Sequence, residues 1–414
     1  MGKKRKDNKN RSLLPGEIFI ESENRYKYYY RILGELHSVS AKDLITLREK
    51  EKNITYDSIS GIKTSEASKT TLNNMVDKYL ENKMNLRATT MSDYIYMYDR
   101  FVRYSFGQKK INTIKYSDVR AFYGKLLKDH HMKINVVERV HCLIYPAFEM
   151  AVRDDLIRKN PSSSVIRELR SNNTLVEGVR HALTLNQQQA FMEYVHFHPA
   201  YSRWYNLFTV LLGTGLRCGE ICGLRWADID FEDQSININH ALVELSTSPG
   251  SRSRKQIVSL PKTEAGIRII PMMSAVKEAL LDEYSNQEIN GFCEATVDGM
   301  GGFIFFNKNG LPLNNQNINA VLKRIVNRYN IEEIKNAEKE NREPILLPRF
   351  SCHHLRHTFC TRYCENETNI KAIQSTMGHR DIRTTLNRYA DANRDKTKES
   401  IDKFSIICDN VIKR

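Results

Sequence analysis

The first sixty residues alternate between polar side chains and apolar or aromatic ones. Residues 18–20 and 26–32 place isoleucine or tyrosine at every second position. A period of two predicts β-strands, here two or three short ones. Residues 44–47 then predict one helix that ends near Asn53. The pattern therefore predicts a small α+β module over residues 1–60.

After residue 70 the apolar residues recur three and four positions apart, the period of an amphipathic helix. Four stretches keep this spacing, namely 72–80, 94–102, 119–127 and 137–151. They predict an all-α bundle whose helices stop near Pro161, in a domain over residues 70–168. Residues 54–70 are rich in Ser, Thr, Gly and Lys, and are predicted to form a linker.

The remaining sequence mixes both periods and predicts a third domain over residues 179–414, mixed α+β and mainly helical. Strands are predicted at 236–238 and 242–245, and helices near 185–197, 201–215, 274–288, 314–329, 353–364, 369–377 and 381–389. Residues 257–260 and 267–270 are predicted to pair as a hairpin around a turn that contains Gly266. An amphipathic stripe from Ile401 predicts a C-terminal helix. The chain is therefore expected to be multidomain.

The composition of the chain indicates the kind of partner that it binds. The 414 residues include 63 lysines and arginines against 49 aspartates and glutamates, for a net charge of +14. This excess favours a polyanion such as nucleic acid. No apolar run approaches the roughly 18 residues of a membrane helix, and the amino terminus lacks the apolar segment of a signal peptide. We therefore expect a location in the cytosol and no membrane partner.

Basic residues at the amino terminus are predicted to contact phosphates. Residues 3–11 hold six cations and one aspartate, a charge block expected to be disordered alone, and a solubilising tail is the alternative. Together with two arginines of the helical domain, this block supplies the predicted DNA contacts, Lys3, Lys4, Arg5, Lys6, Arg87 and Arg103. Eight cysteines make no dense disulfide framework, and we interpret them as free thiols rather than zinc ligands. No metal is predicted.

One ordered set of residues carries candidate chemistry. An arginine is followed by a glutamate one helical turn later, a lysine stands in the predicted hairpin turn, and a His-x-x-Arg pair shares a helix face. A histidine after a glycine and a tyrosine ten residues later complete the order, which is Arg217, Glu220, Lys262, His353, Arg356, His379 and Tyr389. Each residue alone has an ordinary structural explanation, and the conjunction favours a functional one.

This set resembles the tyrosine recombinases, or phage integrase family, and most closely the integrases of conjugative transposons. The resemblance covers roughly residues 180–395 and rests on Thr-Gly-Leu-Arg-x-x-Glu, Pro-Lys-Thr, His-x-Leu-Arg-His-Thr, Gly-His and Tyr-Ala. It implies an arm-type DNA-binding domain at 1–60, a helical core-binding (SAM-like) domain at 70–168 and a catalytic domain at 179–414. His354 duplicates its neighbour His353, so which imidazole faces the phosphate stays open.

The resemblance also implies a site-specific recombinase that integrates and excises a mobile element. Four protomers would hold two duplexes and exchange strands through a four-way junction, each cut leaving a 3′ phosphotyrosine. An excisionase and a host DNA-bending protein are possible partners, and the enzyme would act at the nucleoid of a bacterial cytosol. Docking of the C-terminal helix, in cis or in trans, stays open.

The chemistry of the residue types agrees with that activity. Cutting and rejoining a phosphodiester without ATP requires a covalent enzyme link, and Tyr389 is the predicted nucleophile. Two guanidiniums, Arg217 and Arg356, match the charge on the non-bridging oxygens. Lys262 is predicted to protonate the leaving 5′ hydroxyl. His353 and His379 would bind the phosphate and assist proton removal, while Glu220 would orient Arg217.

Three alternatives remain at this level. A type IB topoisomerase shares the tyrosine and arginine chemistry but relaxes supercoils, and a DNA-binding regulator would keep the fold without cutting. His353 and His357 have the spacing of a helical zinc site, yet His354 stands where a metalloprotease needs its glutamate. No cofactor is therefore expected, and cleavage is predicted to survive chelators.

Overall fold

The structure, a computed structural model, describes residues 5–32, 35–59, 61–83, 87–129, 132–171, 182–246, 253–261, 264–367, 369–383 and 385–386. The chain divides into two compact units, the first over Met1–Val176 and the second over Glu177–Thr247 and Arg252–Arg414. Among the described residues, no helix combines the length and the apolar character that crossing a bilayer requires. The predicted division into three domains stays a prediction.

The first unit begins with the predicted α+β module. Its antiparallel sheet has the order β1-β2-β3, built from β1 (Glu17–Ile20), β2 (Arg25–Ile32) and β3 (Glu35–Ala41), and α1 (Leu44–Ile59) follows. Tyr26, Leu44 and Leu47 are buried between sheet and helix, which explains why tyrosine and leucine recur at these spacings. The predicted strands are confirmed, and α1 continues six residues beyond the predicted end at Asn53.

The basic amino-terminal segment is folded where it is described, which corrects the expectation of disorder for residues 5–11. The carboxylate of Asp7 accepts hydrogen bonds from the backbone N–H of Arg11 at 2.7 Å, from Arg11 Nε at 2.8 Å and from the Tyr26 hydroxyl at 2.9 Å. The single acid of the block therefore closes a loop onto the sheet, which a count of charges does not reveal.

The described residues of the first unit further contain six α-helices, α2 (Thr64–Lys69), α3 (Leu72–Glu81), α4 (Ala88–Tyr98), α5 (Tyr116–Lys128), α6 (Ile134–Arg153) and α7 (Val165–Ser171). The four predicted helices are confirmed, and their stripes form one core in which Tyr98, Tyr123 and Phe148 are fully buried. The predicted linker is wrong, because α2 lies within it and buries Ala67 completely in this core. The small polar residues of α2 showed no helical period, because the helix places a single alanine, Ala67, in the core.

The second unit has seven described helices and two small antiparallel sheets. The helices are α8 (Leu185–Phe197), α9 (Tyr205–Thr214), α10 (Cys218–Gly223), α11 (Ser274–Asn290), α12 (Asn315–Glu340), α13 (Cys352–Asn366) and α14 (Ile370–Met377). The strands are β4 (Ile229–Asp230), β5 (Ser235–Ile238), β6 (Ala241–Ser246), β7 (Arg254–Ser259) and β8 (Arg268–Pro271). The mixed, mainly helical prediction is confirmed.

The predicted hairpin is wrong in its pairing. Strand β7 pairs with β6, where Val258 lies opposite Leu242, whereas β8 pairs with β5, where Ile270 lies opposite Ile236. Both segments are strands, as the spacing predicted, but they belong to different sheets. A turn signal identifies a reversal of the chain, and the buried partners available on β5 and β6 decide where each strand pairs.

Candidate functional site

The first candidate arginine lies between two helices of the second unit. Helix α9 ends at Gly215, which has φ of +64°, and a Cβ there would lie 2.3 Å from the Phe359 ring. Arg217 then caps α10 and donates from its backbone N–H to Glu220 Oε2 at 2.8 Å and from Nη1 to Oε1 at 2.6 Å. The glycine turn and the helix cap therefore orient a guanidinium whose side chain stays 40% exposed.

Glu220 is shared with a second arginine that the sequence analysis missed. Arg268 Nη2 donates to Glu220 Oε2 at 2.8 Å and Nη1 to Oε1 at 3.1 Å, and both side chains are buried. Burial alone would raise the pKa of Glu220, but the hydrogen bonds and charge of Arg268, with the charge of Arg217, lower it to about 2. One signal was available, because alternation places Arg268 on the same inward strand face as Ile270.

Arg356, on α13, is the third guanidinium of this group and, after Arg268, the second buried one. Its Nη1 donates to the carbonyl oxygen of Gly215 at 2.6 Å, and its Nη2 donates to the carbonyl oxygen of Met377. Burial, and then the charge of Arg217, lower the pKa of Arg356 to about 9, which leaves the group protonated at neutral pH. The His-x-x-Arg segment is thus joined to the loop after α9 and to the end of α14.

The carboxyl end of α14 organises all three arginines. A helix leaves its last carbonyl groups without intrahelical donors, and its dipole makes this end attractive to cations. Here three consecutive carbonyl oxygens accept one guanidinium each, in the pairs Thr376–Arg268, Met377–Arg356 and Gly378–Arg217. Gly378 ends the helix with φ of +59°. Two of these guanidiniums, Arg217 and Arg268, share the Glu220 carboxylate, and Arg356 donates to backbone carbonyls, so the three carry excess positive charge that suits a phosphate group.

The two neighbouring histidines of α13 differ in their surroundings. His354 Nδ1 lies 3.2 Å from the backbone N–H of Ser351, which donates to it, and 2.9 Å from the Ser351 hydroxyl. That imidazole therefore caps the amino-terminal turn of α13. His353 is exposed at the same turn. His379 follows Gly378, and its Nδ1 lies 3.0 Å from the hydroxyl of the fully buried Thr385.

Three thiols lie beside this group. Hydrogen bonds of Cys218 with Cys222 and Cys352 lower the pKa of the Cys218 thiol, and the charge of His353 lowers it further. Cys222 and Cys352 are buried, as the interpretation as free thiols expects, while Cys218 is half-buried. Within the described residues, no group of three His, Cys, Asp or Glu side chains has the geometry to hold a metal ion.

The structure thus brings together Arg217, Glu220 and Arg356, with His379 at the adjoining turn. Two of the predicted catalytic residues, Lys262 and Tyr389, lie outside the described residues, as do Lys3, Lys4 and the predicted C-terminal helix. Within the predicted helix at 381–389, residues 382–383 and 385–386 are helical.

The predicted DNA contacts of the first unit fall into two groups. Arg5, Lys6 and Arg87 are exposed. Arg103, in contrast, donates to Asp77 from Nη2 at 2.9 Å and from Nη1 at 3.1 Å, and also pairs with Asp99. Two carboxylates therefore already balance its charge. A DNA contact by Arg103 stays a prediction that this geometry disfavours.

Comparison with known proteins identifies related sequences and structures. The profile of the phage integrase family matches residues 181–396, and that of the phage integrase N-terminal SAM-like domain matches residues 71–127. The chain is 30% identical over 420 residues to the transposase from transposon Tn1545 of Streptococcus pneumoniae, and equally to the transposase from transposon Tn916 of Enterococcus faecalis. Each alignment covers 98% of both proteins.

A solved structure has a similar fold. The Tn1549 transposon integrase in complex with transposon right end DNA superposes with a TM-score of 0.68 at 27% identity, over 81% of this chain and 100% of that one.

Proposed function

This chain belongs to the phage integrase family, as its motifs predicted, and on that basis we propose that it is the site-specific tyrosine recombinase of a conjugative transposon. It cuts and rejoins DNA through a 3′ phosphotyrosine and needs no ATP, so that a mobile element is integrated and excised. The single observation that carries this assignment is the cluster of arginines on the end of α14. Two relatives are transposases from the transposons Tn1545 and Tn916, and the structure of a third, the Tn1549 integrase, is a complex with transposon right end DNA.

The arginines bind the scissile phosphate in this proposal. Arg217 keeps an exposed side chain while Glu220 and the Gly378 carbonyl hold its orientation. Arg356 is fixed by two backbone carbonyls, so its guanidinium is positioned before DNA arrives. Preorganised donors of this kind stabilise the charge that develops on the non-bridging oxygens, and removing one costs about 10²- to 10³-fold in rate.

Tyr389 supplies the nucleophile. His353 and His379 assist removal of its hydroxyl proton, and its oxygen attacks phosphorus. The bond from phosphorus to the 5′ oxygen breaks, and Lys262 donates a proton to that leaving oxygen. Strand exchange reverses these steps with the 5′ hydroxyl of the partner strand. The contact between His379 and Thr385 supports the assignment, because Thr385 precedes Tyr389 by only four residues.

His353 rather than His354 faces the phosphate. The imidazole of His354 caps α13 through Ser351, so turning towards DNA would break that cap. His353, one residue earlier, is exposed, and its charge lowers the pKa of the thiol of Cys218, the residue next to Arg217. A neutral or protonated imidazole there can donate to a phosphate oxygen.

The remaining assignments concern DNA binding and assembly. Residues 1–60 bind arm-type sites, residues 70–168 bind the core site, and residues 179–414 carry the catalysis, with Arg5, Lys6 and Arg87 on phosphates. If about eight phosphates are contacted, the logarithm of the DNA-binding constant falls with the logarithm of the salt concentration at a slope of about −7. Four copies assemble on two duplexes in the cytosol, at the nucleoid, with an excisionase and a host bending protein as further partners.

The proposal is tested with a nicked suicide duplex that carries the cognate attachment site. The full-length protein is expected to form a covalent adduct that Tyr389→Phe abolishes while DNA binding persists. An adduct that survives in Tyr389→Phe would place the nucleophile elsewhere. Relaxation of supercoils without joining of partner sites would favour a type IB topoisomerase, and binding without any adduct would favour a regulator.

A further inference from the structure

Arg268 is the one arginine of the cluster that no motif singled out. It begins strand β8, and its side chain is only 4% exposed. Its Nε donates to the Thr376 carbonyl at 2.8 Å, and its two terminal nitrogens donate to the two oxygens of Glu220 at 3.1 and 2.8 Å. All three nitrogens of this guanidinium therefore donate to protein acceptors, and two of them are paired with a carboxylate, which leaves Arg268 less suited to a DNA phosphate than Arg217 or Arg356.

Its contacts connect three segments of the candidate site. Through Glu220 it holds the first turn of α10, and through Thr376 it holds the end of α14. A Cβ on Gly378 would lie 3.1 Å from Arg268 Nη1, so this arginine also packs directly against the turn after α14. Strand β8 begins six residues after Lys262, and Arg268 Nη1 also donates to the Gly266 carbonyl oxygen at 3.4 Å.

Glu220 can serve two arginines only while it is ionised. Two oxygens of a carboxylate offer about four acceptor sites, which is enough for two donors from each arginine. Arg217 donates to Oε2 from its backbone N–H at 2.8 Å and to Oε1 from its side chain at 2.6 Å, and Arg268 donates to both oxygens. Without the Arg268 charge, Glu220 would be a buried carboxylate with one partly exposed partner, a situation that favours protonation.

We propose that Arg268 is a positioning residue that holds Arg217 in the geometry for phosphate binding, by fixing Glu220 in its ionised form and by fixing the end of α14. The inference rests on the proposed recombinase function of this site. Arg268 itself does not touch the DNA. Misplacing a binding group by about 1 Å costs on the order of 10²-fold in rate, so the loss of Arg268 should lower cleavage far more than DNA affinity.

The test compares single-turnover cleavage of the suicide duplex by full-length variants. Arg268→Met is expected to cleave about 10²-fold more slowly than the natural protein, with DNA affinity changed by less than about threefold at fixed salt. The deficit should grow as the pH falls from 8 towards 5, because Glu220 then takes up a proton. Arg268→Lys should recover part of the rate and flatten this pH profile, because lysine restores the positive charge but not the paired donors of the planar guanidinium.

A double variant separates positioning from general destabilisation. If Arg268 acts in part through Glu220, Arg268→Met combined with Glu220→Gln should lose clearly less rate than the product of the two single losses, because the interactions with Glu220 are shared. The matched control is Arg342→Met, which breaks a similar two-point pair with Glu333 on α12 and should leave the cleavage rate unchanged.

Each other outcome overturns the inference. A pH-independent loss of rate in Arg268→Met, additive effects in the double variant, or an equal loss in Arg342→Met would leave Arg268 with a structural role only. Should Arg268→Met not fold, Arg268→Lys still decides through its cleavage rate and its pH profile. If the natural protein forms no adduct, or Tyr389→Phe still does, the proposed function fails instead, and the two failures are distinguishable.

Discussion

Replacement of Gly378 by alanine should separate the geometry of the arginine cluster from simple stability. Gly378 has φ of +59°, and its carbonyl accepts from Arg217 Nη2 at 2.7 Å. A non-glycine residue in this left-handed region costs about 1–2 kcal/mol. In addition, the new Cβ would lie 2.8 Å from the Ala265 carbonyl oxygen, where ordinary contacts begin at 3.4 Å.

The turn must therefore shift by roughly 0.6 Å, or Ala265 must give way, which adds about 1–2 kcal/mol of overpacking. We expect Gly378→Ala to lower the free energy of unfolding by about 2–4 kcal/mol. Because the carbonyl that holds Arg217 moves with the turn, single-turnover cleavage should also fall by about 10- to 100-fold, with little change in DNA affinity.

Gly310 provides a matched control within the same unit. It has φ of +72°, and a Cβ there meets no atom within 4 Å. Gly310→Ala should therefore lose only the conformational term of about 1–2 kcal/mol, and should cleave at the natural rate. The assay is urea unfolding followed by suicide-substrate cleavage at 25 °C. Unchanged cleavage in Gly378→Ala, or equal rate losses in both variants, would refute the role given to this turn.

Three further predictions concern ionisable groups. The pKa of Glu220 is about 2 against an ordinary 4.5, so about 3 kcal/mol of stability is present above pH 4.5 and lost as the pH falls towards 2. The free energy of unfolding should fall over this pH range in acid titrations, and the same fall in a Glu220→Gln variant would contradict the assignment to Glu220. Burial and the charge of Glu17 raise the pKa of Glu51 to about 7, so its contribution to stability, present below pH 4.5, is lost as the pH rises through 7. Glu51→Gln should therefore stabilise the amino-terminal module at pH 8 by on the order of 1 kcal/mol after solvent screening, and unchanged hydrogen exchange there would contradict this. Iodoacetamide at pH 6 should alkylate Cys218 at least about tenfold faster than the exposed Cys142, as peptide mass spectrometry measures, and a preference for Cys142 would oppose the lowered pKa.

Local spacing determined much of the fold in advance. The strands of the amino-terminal module, the four helices of the bundle and the helices of the second unit follow from periods of two and of three to four residues, because burial of one face imposes those periods. Errors arose where the local signal was weak or ambiguous. Helix α2 contributes a single alanine to the core of the first unit. Helix α12 continues beyond its predicted end at residue 329 to Glu340, through turns that are mostly polar.

The ordered set of Arg217, Lys262, His353, Arg356, His379 and Tyr389 along the sequence was enough to identify the family, since motif residues and their local scaffolds are properties of short segments. Only the tertiary structure decided how Arg217 and Arg356 are held. The contacts of Arg268 with Glu220 and Thr376 join residues 48 and 108 positions apart.

Strand pairing and shared acceptors have the same physical basis. A carboxylate or a helix carbonyl is satisfied by whichever donor the packed chain places nearby, and a strand pairs with whichever buried edge is available, so neither choice is encoded in the spacing of one segment. The sequence by itself determined which elements form and which chemistry they carry. The contacts of Arg268 on β8 with Glu220 on α10 and with the Thr376 carbonyl on α14 determined that a buried arginine orients an exposed one, because a desolvated charge and its acceptors meet there.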